Sequence, residues 1–160
     1  MTDDCSDILN WRRIDNHIST SGQPSESELA DIEHLGVRHV INLGPITNKG
    51  ALADEAGTVA ALGMEYTYIP VDFENPTQAD FEQFRAAMER LQGESVHVHC
   101  IYNARVSAFF YRLACEDEGE DPQQAFERME SIWRPGGVWA EFIAKPGDIG
   151  EANRYAGYDY

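Results

Sequence analysis

The sequence predicts an α/β fold, a single domain with a mainly parallel central sheet flanked by helices. Three short apolar segments rich in β-branched or aromatic residues alternate with helical patterns. Strands separated in this way by helical crossovers build parallel sheets with right-handed connections. Size agrees: 160 residues, 42% hydrophobic and 11% aromatic, fill one core and are too few for two ordinary domains.

Taken in order, "WRRIDNHISTSGQPS" (11–25) reads as one or two short edge strands and a turn at Ser21-Gly22-Gln23-Pro24. "SESELADIEHLG" predicts a helix closed by Gly36, and "VRHVINL" (37–43) the first long strand. "LADEAGTVAALG" predicts a second helix and "EYTYIPV" (65–71) a second strand. In "TQADFEQFRAAMERLQG", Thr77 can cap a helix whose Phe81, Phe84, Met88 and Leu91 share one face. "SVHVHC" (95–100) is the third strand, and "ARVSAFFYRLACE", "DPQQAFERMESIW" and "GVWAEFIA" make the last third helical, with Trp133 and Trp139 as core and cap material. The domain spans 1–160, with its core at about 10–145 and residues 146–160 as a loose C-terminal tail.

The net charge of −16, with ten Arg against two Lys, works against nucleic acid or an anionic membrane as partner. A salt-rich source would produce the same bias, and the acidic run at 115–122 reads as a solvated helix end and loop. No run approaches the roughly eighteen apolar residues of a membrane span. "MTDDCSDILNWRR" carries acids where a secretory signal carries bases, so a cytoplasmic location is expected. Cys5, Cys100 and Cys115 are odd in number and far apart, which predicts free thiols rather than a disulfide framework or a zinc site.

Chemistry concentrates in "VHVHCIYNARVSAFF" (96–110), where a strand ends at Cys100 and a short turn leads through Arg105 into a helix. Parallel sheets bind ligands beyond the carboxyl ends of their strands. A thiol there sits among the amides of a helix N-terminus, which favours the nucleophilic thiolate. An arginine on the same loop can hold two oxygens of a tetrahedral oxyanion in its fork. His97 and His99 alternate along the strand with no third ligand nearby, so hydrogen bonding is expected of them rather than metal binding, with His99 orienting the loop. Cys115 reads as a small core residue, and Tyr102 as an aromatic shaping the pocket mouth.

With His99 before Cys100 and Arg105 after it, the chain resembles the dual-specificity-like cysteine phosphatases of the protein tyrosine phosphatase superfamily. More narrowly, "SGQPSESELADIEHLGVRHVINL", "LGMEYTYIPVDFENPT" and "VHCIYNARVSAFF" resemble, in that order, the bacterial beta-lactamase-hydrolase-like phosphatase family, over roughly residues 10 to 145. The resemblance implies the cysteine phosphatase fold and two-step hydrolysis of a phosphomonoester through a phosphocysteine, with no metal or other cofactor. Cys100 would attack phosphorus, while Arg105 and the loop amides, from Ile101 through Tyr102, Asn103 and Ala104, would bind the phosphoryl oxygens. Asp72 in "IPVDFENP" would protonate the leaving oxygen, with Glu74 in reserve. The substrate would be a phosphorylated small molecule or a phosphoprotein.

Two departures from the superfamily stand out. Four residues rather than five separate Cys100 from Arg105, as tends to be the case in the narrower family, and the loop has no glycine. Asn103 can supply the left-handed conformation a glycine would give, and Ser107 the hydroxyl that helps a thiolate leave. Two other readings fit the short loop: a rhodanese-type sulfurtransferase carrying a persulfide on Cys100, and a non-catalytic module that binds phosphorylated ligands in the same cradle.

Overall fold

The computed structural model describes residues 4–156. A five-stranded sheet has the order β1-β2-β5-β3-β4, with β1 at Arg12–Arg13, β2 at Ile18–Ser21, β3 at His39–Asn42, β4 at Glu65–Tyr68 and β5 at Val96–His99. All pairings are parallel except that of β1 with β2. The crossovers carry α1 (Glu26–His34), α2 (Glu55–Ala61) and α3 (Gln78–Arg90); α4 (Ala104–Glu116), α5 (Pro122–Glu130) and α6 (Gly137–Phe142) follow β5. Helix starts obey local chemistry: Ser25 and Thr77 each close a capping box, and Asp54 caps α2 by accepting from the Gly57 amide.

Alternation along β3 divides the core. Ile41 joins Val96, Val98, Phe81, Phe84, Phe109 and Trp139 on one face, while Val40 joins Leu29, Ile32, Val59 and Met64 beneath α1 and α2 on the other. By the same alternation His97 and His99 share the second face with Val40. The acidic run is partly paired: Arg85 holds Glu116 and Asp117, and Arg128 holds Glu120. Among the described residues, no helix is long and apolar enough to cross a membrane.

Two expectations are corrected. The segment "ISTS" does not lie at an edge: β2 runs between β1 and β5, with Ser19, Thr20 and Ser21 buried. Its hydroxyls are tolerated because each is paired, Ser19 Oγ 2.8 Å from His97 Nδ1, Ser21 Oγ 2.8 Å from His97 Nε2 and Thr20 Oγ1 accepting from Asn103 Nδ2 at 3.0 Å. Ser21 spends its only proton on the Gly22 carbonyl, so it accepts from Nε2–H, and the bare Nδ1 accepts from Ser19. Nor is the end of the chain a loose tail, within the described residues. Pro146–Asp148 forms a turn of 3-10 helix, and Arg154–Tyr155 forms β7, antiparallel to β6 at Trp133–Arg134, because Tyr155 stacks on Trp133 at 5.7 Å. Residues 157–160 of the expected tail lie outside the described residues.

Complete burial holds His97 well below the usual imidazole value of 6.5. As pH falls through that value the unfolded chain takes up a proton that the folded chain refuses, so this contribution to stability is full above 6.5 and is lost below it. Urea midpoints between pH 7.5 and 5.5 are expected to fall by an amount equivalent to about 1.4 kcal/mol in all, more steeply than in His97→Gln. Parallel profiles for the two proteins would refute it.

Candidate active site

The loop between β5 and α4 is held from behind at three consecutive carbonyls. Cys100 O accepts from His99 Nδ1 at 3.0 Å, Ile101 O from the Gln23 amide at 2.9 Å and Tyr102 O from Asn10 Nδ2 at 2.8 Å. The peptide bonds of the loop are trans, so the N–H of each following residue points away from its carbonyl. Tying back these carbonyls therefore turns the amides of Ile101, Tyr102 and Asn103 toward the other side of the loop.

Close approach makes this bracing possible. A Cβ on Gly22 would come within 2.6 Å of Ile101 O, and one on Gly44 within 3.3 Å of Cys100 Cα, so both neighbouring turns need glycine where they abut the loop. Asn103 adopts φ 79°, the left-handed conformation expected of it. Its Nδ2 donates to Asn10 O and Thr20 Oγ1, so its side chain faces inward and only its backbone remains for a ligand.

Cys100 is fully buried at the end of β5. Arg105, in the first turn of α4, donates from Nε to Val71 O at 2.8 Å and sets its guanidinium 5.0 Å from the Phe73 ring centroid. Phe73 is fixed in turn, since its carbonyl accepts from Trp139 Nε1 at 2.7 Å and its ring packs on Trp133 and Trp139. Asp72 and Glu74 flank Phe73 and are exposed. Together with Pro45, Asn48, Ile101 and Arg105 they line an open cleft of about 670 Å³. Asp72 Oδ1 accepts the Glu74 amide at 2.9 Å, and its neighbour Val71 is the residue that Arg105 grips.

The structure thus brings Ile101, Arg105, Asp72 and Glu74 to one cleft and places Ala104, buried, at the start of α4. Two expected contributors are turned elsewhere. Ser107 Oγ donates to Ala104 O and accepts from Trp133 Nε1, and it lines a small interior cavity behind the loop with Thr20 and Asn103 rather than the cleft. Tyr102 does not shape the mouth: its hydroxyl donates to Ala156 O at 2.9 Å and its ring meets Tyr155 edge-on. Two residues of helix, about 200° of rotation, turn position 107 away from 105, and the Tyr102 hydroxyl is drawn to a carbonyl just after β7.

Sequence reasoning missed Glu55, the first residue of α2. It is 3% exposed, with Oε2 2.5 Å from His99 Nε2 and Oε1 accepting from Gln23 Nε2 at 2.8 Å. No local signal marks it, because an acid in a helix's first turn is ordinary. The other thiols are poor nucleophiles: burial pushes Cys5 up to about 11 and raises Cys115 as well. Among the described residues, no three His, Cys, Asp or Glu side chains are grouped to hold a metal ion.

A parallel sheet whose central strand delivers a cysteine to a braced loop at a helix start, with an arginine in that helix's first turn, is the fold of the cysteine phosphatases. The model of the family "Beta-lactamase hydrolase-like protein, phosphatase-like domain" matches residues 10–126, and the chain belongs to that family. It is 34% identical over 120 residues to the beta-lactamase hydrolase-like protein of Xylella fastidiosa strain Temecula1, covering 72% of this chain but 27% of that protein. The chain therefore spans about a quarter of the length of the curated relative it matches. The DUF442 protein of Shewanella putrefaciens CN-32 superposes with a TM-score of 0.76 at 33% identity, over 88% of this chain and 92% of that one. The core catalytic domain of the PP-IP phosphatase SIW14 from S. cerevisiae shares the fold, with a TM-score of 0.69 at 13% identity over 86% and 85% of the two chains.

Proposed function

We propose that the protein is a cytoplasmic, metal-independent phosphatase that hydrolyses phosphomonoesters through a phosphocysteine at Cys100. The observation that carries this reading is the triple tie-back of the loop carbonyls, which leaves consecutive amides and the outer nitrogens of Arg105 free for one tetrahedral anion. The Cys100 thiolate attacks phosphorus, the P–O bond to the leaving group breaks, and Asp72 delivers a proton to the departing oxygen. Water then attacks the phosphocysteine, giving up its proton to the same carboxylate, and releases inorganic phosphate and the thiolate. Arg105 is the one cationic side chain among the described residues that line the cleft, a charge suited to one phosphoryl group of a small molecule or phosphoprotein.

Asp72 takes the acid role because Val71, beside it, is anchored to Arg105, whereas Glu74 lies beyond Phe73. Asp72→Asn is expected to slow alkyl phosphates by about 10²- to 10⁴-fold and a nitrophenyl ester far less, since only a poor leaving group needs the proton. Equal losses for both substrates would transfer the role to Glu74. Steady-state phosphate release from an aryl phosphate, with a chelator present, tests the whole reading. Turnover of thiosulfate and cyanide in place of phosphate ester would replace it with sulfur transfer, and anion binding without any turnover would replace it with a binding module.

A further inference from the structure

We infer that Glu55 is a positioning residue for the nucleophile loop, acting through His99 by fixing which ring nitrogen carries the proton that holds Cys100. The role as a reaction component rests on the phosphatase reading; the proton assignment does not.

The argument begins at the Cys100 carbonyl. A carbonyl only accepts, so the 3.0 Å contact with His99 requires hydrogen on Nδ1. If the imidazole were instead protonated on Nε2 alone, the bare Nδ1 lone pair would face the carbonyl lone pairs, and the peptide joining Cys100 to Ile101 would lose its anchor. Glu55 prevents this. Its Oε2 lies 2.5 Å from Nε2 with one proton between them. Whether that proton rests on the carboxylate or on the ring, Nδ1 keeps its own hydrogen, and Cys100 O keeps its donor.

The same carboxylate reaches the loop by a second route. Glu55 Oε1 accepts from Gln23 Nε2 at 2.8 Å, and the Gln23 amide holds Ile101 O at 2.9 Å. One side chain at the start of α2 thus governs two successive loop carbonyls, and through peptide planarity the aim of the Ile101 and Tyr102 amides. Stability alone does not account for it. Both partners are withdrawn from water, Glu55 at 3% and His99 at 0% exposure, and a buried charged pair is commonly no better for a fold than apolar side chains of the same volume. Its place, 44 residues away in sequence yet against the residue preceding the nucleophile, fits control of the loop.

Two variants separate positioning from bulk. In Glu55→Gln the amide can donate to Nε2 while its oxygen still accepts from Gln23, so Nδ1–H survives; kcat is expected to stay within about threefold of wild type. Glu55→Ala removes both contacts, and kcat on an aryl phosphate is expected to fall about 10- to 100-fold while KM changes by less than threefold, because amides aimed at transition-state charge are misplaced. Assays are run at a temperature where circular dichroism shows each variant folded. Equal losses in both variants, or no loss in Glu55→Ala, would overturn the inference. Nitrogen-15 spectra of the histidine rings provide a readout independent of activity and of variant folding: wild-type His99 must show a protonated Nδ1. A spectrum with Nδ1 bare overturns the assignment outright. An inactive wild type that shows the protonated Nδ1 would defeat the phosphatase reading and leave the assignment standing.

Discussion

Cys100→Ser is expected to lower turnover of an aryl phosphate by about 10⁴-fold or more while leaving binding of inorganic phosphate or tungstate nearly unchanged. The serine hydroxyl occupies the space of the thiol, and none of the contacts that shape the loop involves the sulfur: they run through carbonyls 100, 101 and 102, the Asn103 side chain and Arg105. What disappears is the thiol that the proposed reaction uses as its nucleophile, a role that a hydroxyl fills poorly. Calorimetric titration with the oxyanion alongside steady-state kinetics reads both quantities. Activity retained in the serine variant would exclude a covalent route through Cys100. Loss of anion binding together with turnover would mean that the sulfur itself supports the cradle.

Arg105→Ala is expected to weaken turnover and oxyanion binding together, the former by roughly 10³-fold. Two effects coincide. The outer guanidinium nitrogens are charged donors lining the cleft, and Nε donates to Val71 O, which fixes the approach of the Asp72 segment. Arg105→Lys restores charge without the fork or the Nε bond, so it is expected to recover binding partially and catalysis hardly at all. Full recovery by lysine would show that point charge alone suffices, and an alanine variant that binds the oxyanion like wild type would remove Arg105 from the cradle. Its burial makes some loss of stability inevitable, so both assays are referred to the folded fraction.

Much of this arrangement was legible in the sequence because its signals are local. Period-two and helical patterns located β3, β4, β5 and the three crossover helices, Thr77 announced α3, and Asn103 was recognisable as the residue able to adopt positive φ in a loop without glycine. The cysteine and arginine could be read from a strand end and a helix start. What escaped depended on contacts between distant segments. Nothing local in "ISTS" shows that its hydroxyls are interior, since Ser19 and Ser21 pair with the buried His97, 78 and 76 residues away, and Thr20 pairs with Asn103. Ser107 looked like a ligand for the leaving thiolate, yet Trp133 claims its hydroxyl; Tyr102 looked like a rim, yet Ala156 claims its own. Glu55 is the extreme case, an acid with the appearance of a routine helix start whose partner lies on another strand.

The bracing of the loop also bears on when that loop takes its shape during folding. Asn10 reaches the loop across 92 and 93 residues, and Ala156 reaches Tyr102 across 54, so both extremities of the described chain close onto a turn near residue 102. The closures made by Asn10 span more chain than the β2–β5 and β3–β5 pairings beside them, so they cost more chain entropy and contribute only once the sheet exists to receive them. A chain still emerging from the ribosome can pair β3 with β5 well before its last strand is available. The three braces, from Asn10, Gln23 and His99, all precede the loop in the chain and can hold it as soon as the sheet forms, and of these contacts only that of the Tyr102 hydroxyl waits for Ala156.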